Sequence, residues 1–205
     1  MQPPTVFIVD DDPAFCESLD LLIRSFGMAT ATFASGDEYL QQFDPSQPGC
    51  VILDVRMPGR SGLDLQEELS KFDIHPPVII MTAFAEVPAA LRAMRQGAVE
   101  FLQKTFSESE LLDAITRALA VDADNRRQHG RRQELNAMMG RLSAPEQAVL
   151  DLMLQGAPNK AIAASLGVSV RTVEDRRARI MRKLKVDTVA ELVRLAVEAG
   201  RISVN

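Results

Sequence analysis

The chain has little of what membrane-spanning, disulfide-bonded and thiolate-metal proteins need. No apolar stretch is long enough to span a bilayer, and the N-terminus lacks the basic-then-apolar pattern of a signal peptide. Cys16 falls on a predicted helix and Cys50 on a predicted buried strand, which is typical of small core residues rather than a disulfide or metal pair. His75 and His129 are the two histidines, and neither is assigned a role. We therefore expect a cytoplasmic protein without a membrane partner.

Charge is distributed unevenly between the two halves of the 205-residue chain. The net charge is −5, but residues 1–121 hold 8 Lys and Arg against 18 Asp and Glu. Residues 122–205 hold 15 Lys and Arg against 10 Asp and Glu. Such an imbalance predicts an acidic module joined to a nucleic-acid-binding one.

The first half alternates short apolar runs with helical patterns five times. Residues typical of helix ends mark the predicted helices. Gly27 ends the first one, and Ser35 and Ser107 each begin a capping box. Alternating βα units of this size predict an α/β doubly wound, five-stranded parallel sheet of the flavodoxin-like kind. The predicted strands are about 5–9, 29–33, 50–54, 77–82 and 99–104.

Polar side chains follow the ends of four of these predicted strands. Asp10 and Asp11 follow the first, Asp54 closes the third, Thr82 ends the fourth and Lys104 follows the fifth. Ligands of open α/β sheets bind beyond the carboxyl ends of the strands, so these groups should share one rim. A lone Asp at a strand end is usually a turn former or cap, but adjacent carboxylates repel unless a cation offsets them. The pattern predicts a magnesium and phosphoryl site with an aspartate acceptor.

With these motifs, residues 1–120 resemble the receiver domain of two-component response regulators. The resemblance implies that Asp54 is the phosphoacceptor and that a cognate histidine kinase supplies the phosphoryl group. It also implies a Mg²⁺ ion as cofactor and a switch that responds to the phosphate. The residues implied are Asp10, Asp11, Asp54 and the main-chain carbonyl of Arg56 for the metal, Thr82 and Phe101 for the switch, and Thr82 and Lys104 for the phosphoryl group.

One departure from the receiver pattern lies directly after the lysine. The family usually has proline there in a cis peptide, whereas this chain has Thr105. A cis bond before a non-proline residue costs about 3–4 kcal/mol, so the sequence favours a trans bond and a displaced loop. Displacement of that loop would change the direction of Lys104.

Residues 121–141 are predicted to be a helical linker, and residues 142–205 a small all-α helix-turn-helix domain. The linker is highly polar, and Gly130 is its weak point as a helix. Ser143 begins a capping box for the first of four short helices. A helix that ends at Leu166, a turn of Gly167-Val168-Ser169 and a longer helix over about 170–184 follow the helix-turn-helix pattern.

The longer helix presents a core stripe and a basic, groove-facing stripe. At 3.6 residues per turn, Val173, Ile180 and Leu184 face the core. The opposite face would meet DNA, and the residues beside the core stripe would reach phosphates. The candidate groove-facing residues are Arg171, Asp175 and Arg182, flanked by Thr172, Glu174 and Arg179, and the candidate phosphate contacts are Arg176, Arg177 and Lys183.

From about Leu142 to Val197 the chain resembles the LuxR-type helix-turn-helix output domain. The matching runs are Asn159-Lys160-Ala161-Ile162-Ala163, Arg171-Thr172-Val173-Glu174-Asp175-Arg176-Arg177 and Ile180-Met181-Arg182-Lys183-Leu184. The resemblance implies double-stranded DNA as a partner and adds Lys160 to the contact residues. Glu174 and Asp175 stand where the family commonly has a lysine or a neutral residue. A carboxylate there can accept from cytosine N4 in the major groove.

The two halves together predict a transcription regulator switched by phosphorylation rather than an enzyme. Phosphorylation of Asp54 should promote a homodimer, because one helix-turn-helix module contacts only a half-site. Two alternatives remain open. The receiver could be a degenerate, phosphate-independent dimerisation module, or the chain could be a haloacid-dehalogenase-like phosphohydrolase with Asp10 as its nucleophile.

Overall fold

The computed structural model describes residues 3–84 and 86–202, which divide into two compact units. The first unit ends at Arg126 and the second begins at Arg127. In the described part of the chain, no helix is long and apolar enough to cross a membrane.

The first unit is built on a five-stranded parallel sheet with the order β2-β1-β3-β4-β5. The predicted fold class is therefore confirmed. The strands are β1 Thr5–Val9, β2 Ala29–Phe33, β3 Gly49–Asp54, β4 Val78–Thr82 and β5 Glu100–Gln103. The helices between and after them are α1 Pro13–Ser25, α2 Gly36–Gln42, α3 Gly62–Leu69, α4 Val87–Arg95 and α5 Glu108–Gly140.

Two apolar layers cover the two faces of the sheet. Alternate residues of a strand point to opposite faces, so neighbouring residues such as Ile52 and Leu53 enter different cores. One core joins the sheet to α1 and α5 through side chains such as Leu19 and Ile115. The other joins it to α2, α3 and α4, and contains the aromatic cluster around Tyr39. Both layers fix the strand ends that carry the candidate site.

The second unit contains four short helices after α5. They are α6 Ala144–Leu154, α7 Asn159–Leu166, α8 Val170–Leu184 and α9 Val189–Glu198. Ser143 and Thr188 form capping boxes at the starts of α6 and α9, as their sequences predict. At the start of α7, Pro158 occupies the cap position and Asn159 is the first helical residue.

Helix α5 contributes residues to both units. In the first unit, the buried Asp122 carboxylate accepts from the Gly49 main-chain N–H at 2.9 Å and from Arg126 Nε at 2.9 and 3.0 Å. In the second, Leu135 and Met139 are buried in the core formed with α6 to α9. The domain limits at 120 and 141 remain predictions. Within the predicted linker, however, Asp122 and Arg126 make contacts in the first unit, and Leu135 and Met139 pack in the second.

Candidate functional site

The sheet order brings the predicted rim residues together. Strands β1 and β3 are neighbours, as are β3 and β4, so the groups following β1, β3 and β4 lie side by side. The chain order reverses between β1 and β3, which is where open α/β sheets form their binding crevice. Asp10, Asp54 and Thr82 are all buried, at 3%, 5% and 2% exposure, whereas Asp11 is exposed.

Lys104 connects two of these carboxylates. Its Nζ atom lies 2.6 Å from Asp10 Oδ2 and 3.0 Å from Asp54 Oδ1. The ammonium also lies 4.3 Å from the centre of the Phe15 ring, a contact that the sequence did not indicate. All described peptide bonds are trans, including the one between Lys104 and Thr105, as the sequence predicted. The trans bond nevertheless leaves Lys104 directed at Asp54.

Burial raises the pKa of Asp54, and the neighbouring Asp10 charge adds to this effect, whereas Lys104 and the Arg56 main-chain N–H oppose it. The Arg56 N–H donates to Asp54 Oδ2 at 2.6 Å. Burial works to lower the pKa of Lys104, but its hydrogen bonds to Asp10 and Asp54 outweigh burial and raise it. The site is thus a compact group of two carboxylates and one ammonium.

The oxygen-rich rim is compatible in chemistry with a divalent cation. Two carboxylates converge closely enough to share one ammonium, and hard oxygen donors are what Mg²⁺ prefers. Within residues 3–84 and 86–202, however, no group of three or more acidic, histidine or cysteine side chains is arranged to hold a metal. Asp10 Oδ1 instead accepts from the Asp12 main-chain N–H at 3.0 Å.

In the second unit, α7 and α8 form the predicted helix-turn-helix. Gly167 ends α7 in the left-handed conformation with φ of 63°, and Ser169 caps α8 by accepting from the Thr172 N–H at 3.1 Å. Val173, Ile180 and Leu184 are buried, as the helical period predicts. The exposed candidates are Lys160, Arg171, Glu174, Asp175, Arg179, Arg182 and Lys183, and the half-buried ones are Thr172, Arg176 and Arg177.

Comparison with known proteins agrees with both halves of this geometry. Residues 6–116 match the family model of the response regulator receiver domain. Residues 141–196 match the model of bacterial regulatory proteins of the luxR family. The chain belongs to the response regulators.

Curated relatives are similar over almost the whole response regulator. Nodulation protein W of Bradyrhizobium diazoefficiens is 41% identical over 98% of this chain and 88% of its own length. The transcriptional regulatory protein FixJ of Azorhizobium caulinodans is 42% identical over 95% of this chain and 92% of its own. The response regulator protein TodT of Pseudomonas putida is 41% identical over 93% and 84%, respectively.

Solved structures of response regulators resemble the chain as well. A low-resolution structure of the response regulator StyR covers 96% of this chain and 100% of its own, with 42% identity and a TM-score of 0.77. Full-length FixJ from B. japonicum covers 99% and 100%, with 33% identity and a TM-score of 0.57. The chain is thus a transcriptional response regulator with a receiver domain and a LuxR-type DNA-binding domain.

The receiver's candidate switch residues occupy different environments. The Thr82 hydroxyl donates to the Phe84 carbonyl at 3.2 Å and accepts from the Phe84 N–H at 3.3 Å. Phe101 is half-buried against the core that contains α3 and α4.

Gly62 lies where a Cβ atom would clash with the Asp54 main-chain oxygen, so only glycine fits beside the acceptor without a shift.

The response regulator's DNA-binding domain holds one candidate cation in an ion pair. Lys183 Nζ lies 2.7 Å from Glu146 Oε2, which also accepts from the Ser143 N–H at 2.8 Å and its Oγ at 2.9 Å. The Lys183 hydrogen bond, followed by that of the Ser143 N–H, lowers the pKa of Glu146 to about 2. The capping-box pattern that begins at Ser143 accounts for Glu146 at the start of α6, but it did not indicate the contact of Glu146 with α8.

Proposed function

We propose that a histidine kinase phosphorylates Asp54, and that the phosphorylated chain dimerises and binds a specific double-stranded DNA site. The observation that carries this proposal is the buried Asp54 carboxylate at the end of β3, 3.0 Å from Lys104 Nζ and beside Asp10. A regulator of this kind would act in the cytoplasm, where both the kinase's catalytic part and the DNA are found.

Phosphoryl transfer to Asp54 requires few covalent groups. An Asp54 carboxylate oxygen forms the new bond to phosphorus while the bond from phosphorus to the imidazole nitrogen of the kinase breaks. The departing nitrogen takes up a proton from solvent, which leaves a neutral histidine. Such a transfer depends mainly on positioning and on neutralising charge at the phosphoryl oxygens. Lys104 supports both, because its ammonium already contacts the acceptor oxygen.

Asp10, Asp11, Asp54 and the main-chain carbonyl of Arg56 are the groups that would hold Mg²⁺. When bound, this ion supplies additional neutralisation of the phosphoryl oxygens. The rim supports the assignment because its two carboxylates outnumber the single Lys104 ammonium between them, and the remaining negative charge favours a further cation.

The contacts of Thr82 suggest how phosphorylation alters the receiver surface. A phosphoryl group on Asp54 would attract the Thr82 hydroxyl, which would then leave the Phe84 main chain. Phe101 would turn inward into the space that Thr82 vacates. Helix α4, which follows Thr82 and Phe84 in the chain, carries an exposed apolar stripe at helical spacing formed by Val87, Leu91 and Met94. We assign the homodimer contact to this stripe and β5.

The exposed face of α8 supports binding in the major groove of DNA. Arg171 and Arg182 would contact bases, and Arg177, next to the core stripe, would contact the backbone. Glu174 and Asp175 are exposed beside them, so they would accept from cytosine amino groups and be repelled by phosphates on wrong sequences.

Labelling with acetyl phosphate tests the acceptor. We expect wild type to incorporate an acid-labile, magnesium-dependent phosphoryl group and Asp54→Asn to incorporate none. Asp10→Asn should need more magnesium for the same labelling, because it removes a metal ligand but not the acceptor. Asp73→Asn, which alters an exposed carboxylate, is the matched control and should label like wild type.

The alternatives give different outcomes in the same experiment. Full labelling of Asp54→Asn together with loss of labelling in Asp10→Asn would support the phosphohydrolase interpretation. Labelling of neither wild type nor any variant, with DNA binding intact, would support a degenerate receiver that acts without phosphate.

A further inference from the structure

The ion pair between α6 and α8 joins two distant parts of the DNA-binding domain. Glu146 lies in the first turn of α6 and Lys183 in the last turn of α8, 37 residues later. A carboxylate is favourable at a helix N-terminus and an ammonium at a helix C-terminus, so the pair complements both helix dipoles.

Glu146 is more strongly held than an ordinary surface carboxylate. Its side chain is 6% exposed, and one oxygen, Oε2, accepts from the Ser143 N–H, the Ser143 hydroxyl and Lys183 Nζ. Charge-assisted hydrogen bonds of this length are about twice as strong as neutral ones. The pKa of Glu146, lowered to about 2, is consistent with a carboxylate that stays charged whenever the domain is folded.

The pair lies where it can set the position of the recognition helix. Val173, Ile180 and Leu184 fix the rotation of α8 by packing into the core. Beyond them, Lys185 leaves the helix in the left-handed conformation with φ of 55°. Lys183 is thus the charged residue that holds the last turn of α8 to α6, next to the groove-facing Arg182.

We propose that Glu146 is a positioning residue of the DNA-binding domain, which holds the last turn of α8 through Lys183 and withholds the Lys183 ammonium from DNA phosphates. This inference rests on the proposed DNA-binding function. It differs from the sequence-based expectation that Lys183 is itself a phosphate contact. Lys183 thus makes no contact with a DNA phosphate, and its ion pair instead fixes the position of the groove-facing side of α8.

The test measures DNA affinity of the full chain, in its beryllofluoride form, at several salt concentrations. The probes are a duplex enriched from a random-sequence library by binding to wild type, and a scrambled duplex of the same composition. Glu146→Gln keeps the side-chain shape and its acceptor for the Ser143 N–H, but it releases Lys183. Lys183→Met removes the ammonium, and Lys183→Arg retains a donor for Glu146.

We expect Glu146→Gln to steepen the salt dependence by about 0.9 in log–log slope, because the freed Lys183 neutralises one more phosphate. Discrimination between the two duplexes should fall roughly tenfold, which corresponds to about 1.4 kcal/mol. Lys183→Met should lose the same discrimination with an unchanged slope, the double variant should match Lys183→Met, and Lys183→Arg should match wild type.

Two results would overturn the proposal. A flatter slope in Lys183→Met would make Lys183 a phosphate contact, and unchanged discrimination in both single variants would remove the positioning role. Amide hydrogen exchange at residues 181–184 provides a readout without DNA, and both variants should exchange faster there. If wild type binds no duplex, the proposed function fails, and this exchange measurement still decides whether the ion pair holds α8.

Discussion

At the scale of single residues, buried polar groups of the receiver differ in whether they have a partner. Asp54 and Asp10 are buried beside the half-buried Lys104, whose ammonium compensates both carboxylates. Tyr39 is buried at 1% exposure among aromatic rings, and its hydroxyl finds no hydrogen-bond partner in residues 3–84 and 86–202. Burial raises its pKa strongly, which keeps the hydroxyl neutral. The carboxylates thus have a partner for their charge, whereas the unpaired hydroxyl costs stability.

Replacement of Tyr39 by phenylalanine should therefore stabilise the receiver. The ring contacts with Phe7, Phe33 and Phe43, at centroid distances of 5.7, 5.1 and 5.8 Å, are kept. Loss of an unpaired buried hydroxyl should raise the free energy of unfolding by about 1 kcal/mol. Urea denaturation measures this change. Tyr39→Leu, which loses the ring, should lower the same quantity, and a destabilised Tyr39→Phe would mean that the hydroxyl has a bonding partner.

At the scale of elements, helix α5 is fixed to the receiver beyond the predicted domain limit. Arg126 pairs with the buried Asp122 and donates from Nη1 to the Pro45 carbonyl at 2.9 Å and from Nη2 to the Gln47 carbonyl at 2.5 Å. Asp122 in turn accepts from the first residue of β3, Gly49. This network joins α5 to the loop before β3 and to β3 itself, the strand that carries Asp54.

Arg126→Ala should lower the free energy of unfolding of the receiver by roughly 3–5 kcal/mol, because it leaves Asp122 buried without its cation. Arg117→Ala is the matched control. Arg117 pairs with Glu100 at the surface, where an ion pair contributes about 0–1 kcal/mol. Thermal or urea denaturation of fragment 1–128 measures both, and fragment 1–120 should be less stable than 1–128. Equal stability of the two fragments would place the domain limit at 120.

At the scale of the whole molecule, phosphorylation should control assembly. Exposed apolar side chains at helical spacing on α4, namely Val87, Leu91 and Met94, are unusual for a surface helix and favour a contact with a second copy. Their helix begins shortly after Phe84, the residue that holds the Thr82 hydroxyl. Movement of Thr82 would thus be transmitted over only a few residues.

Sedimentation of the full chain with and without beryllofluoride tests this control. We expect wild type to shift from monomer to dimer on addition of the mimic, and Leu91→Asp to remain monomeric because a charge enters the apolar contact. Leu21→Asp alters an equally exposed leucine on α1, at 63% against 53%, and should dimerise like wild type. An unchanged mass over a wide concentration range would support the phosphate-independent alternative.

The sequence by itself determined the elements and the residues at their ends. Strands and helices repeat every two to four residues, so short stretches of sequence indicate them. Because the carboxyl ends of parallel strands share one edge of the sheet, the residues at those ends were predictable as one group, namely Asp10, Asp54, Thr82 and Lys104. The buried stripe of α8 was predictable from the helical period for the same reason. The roles of these residues in phosphorylation and DNA binding remain predictions.

Only the tertiary structure decided which charged groups pair. The neighbouring positions of β1 and β3 let Asp10 and Asp54 share Lys104. The helical period predicted that Lys183 could contact DNA, but the structure pairs it with Glu146, 37 residues away. Asp122 contacts Gly49 across 73 residues of chain. Local patterns do not encode such partners, because the packing of whole elements sets these distances.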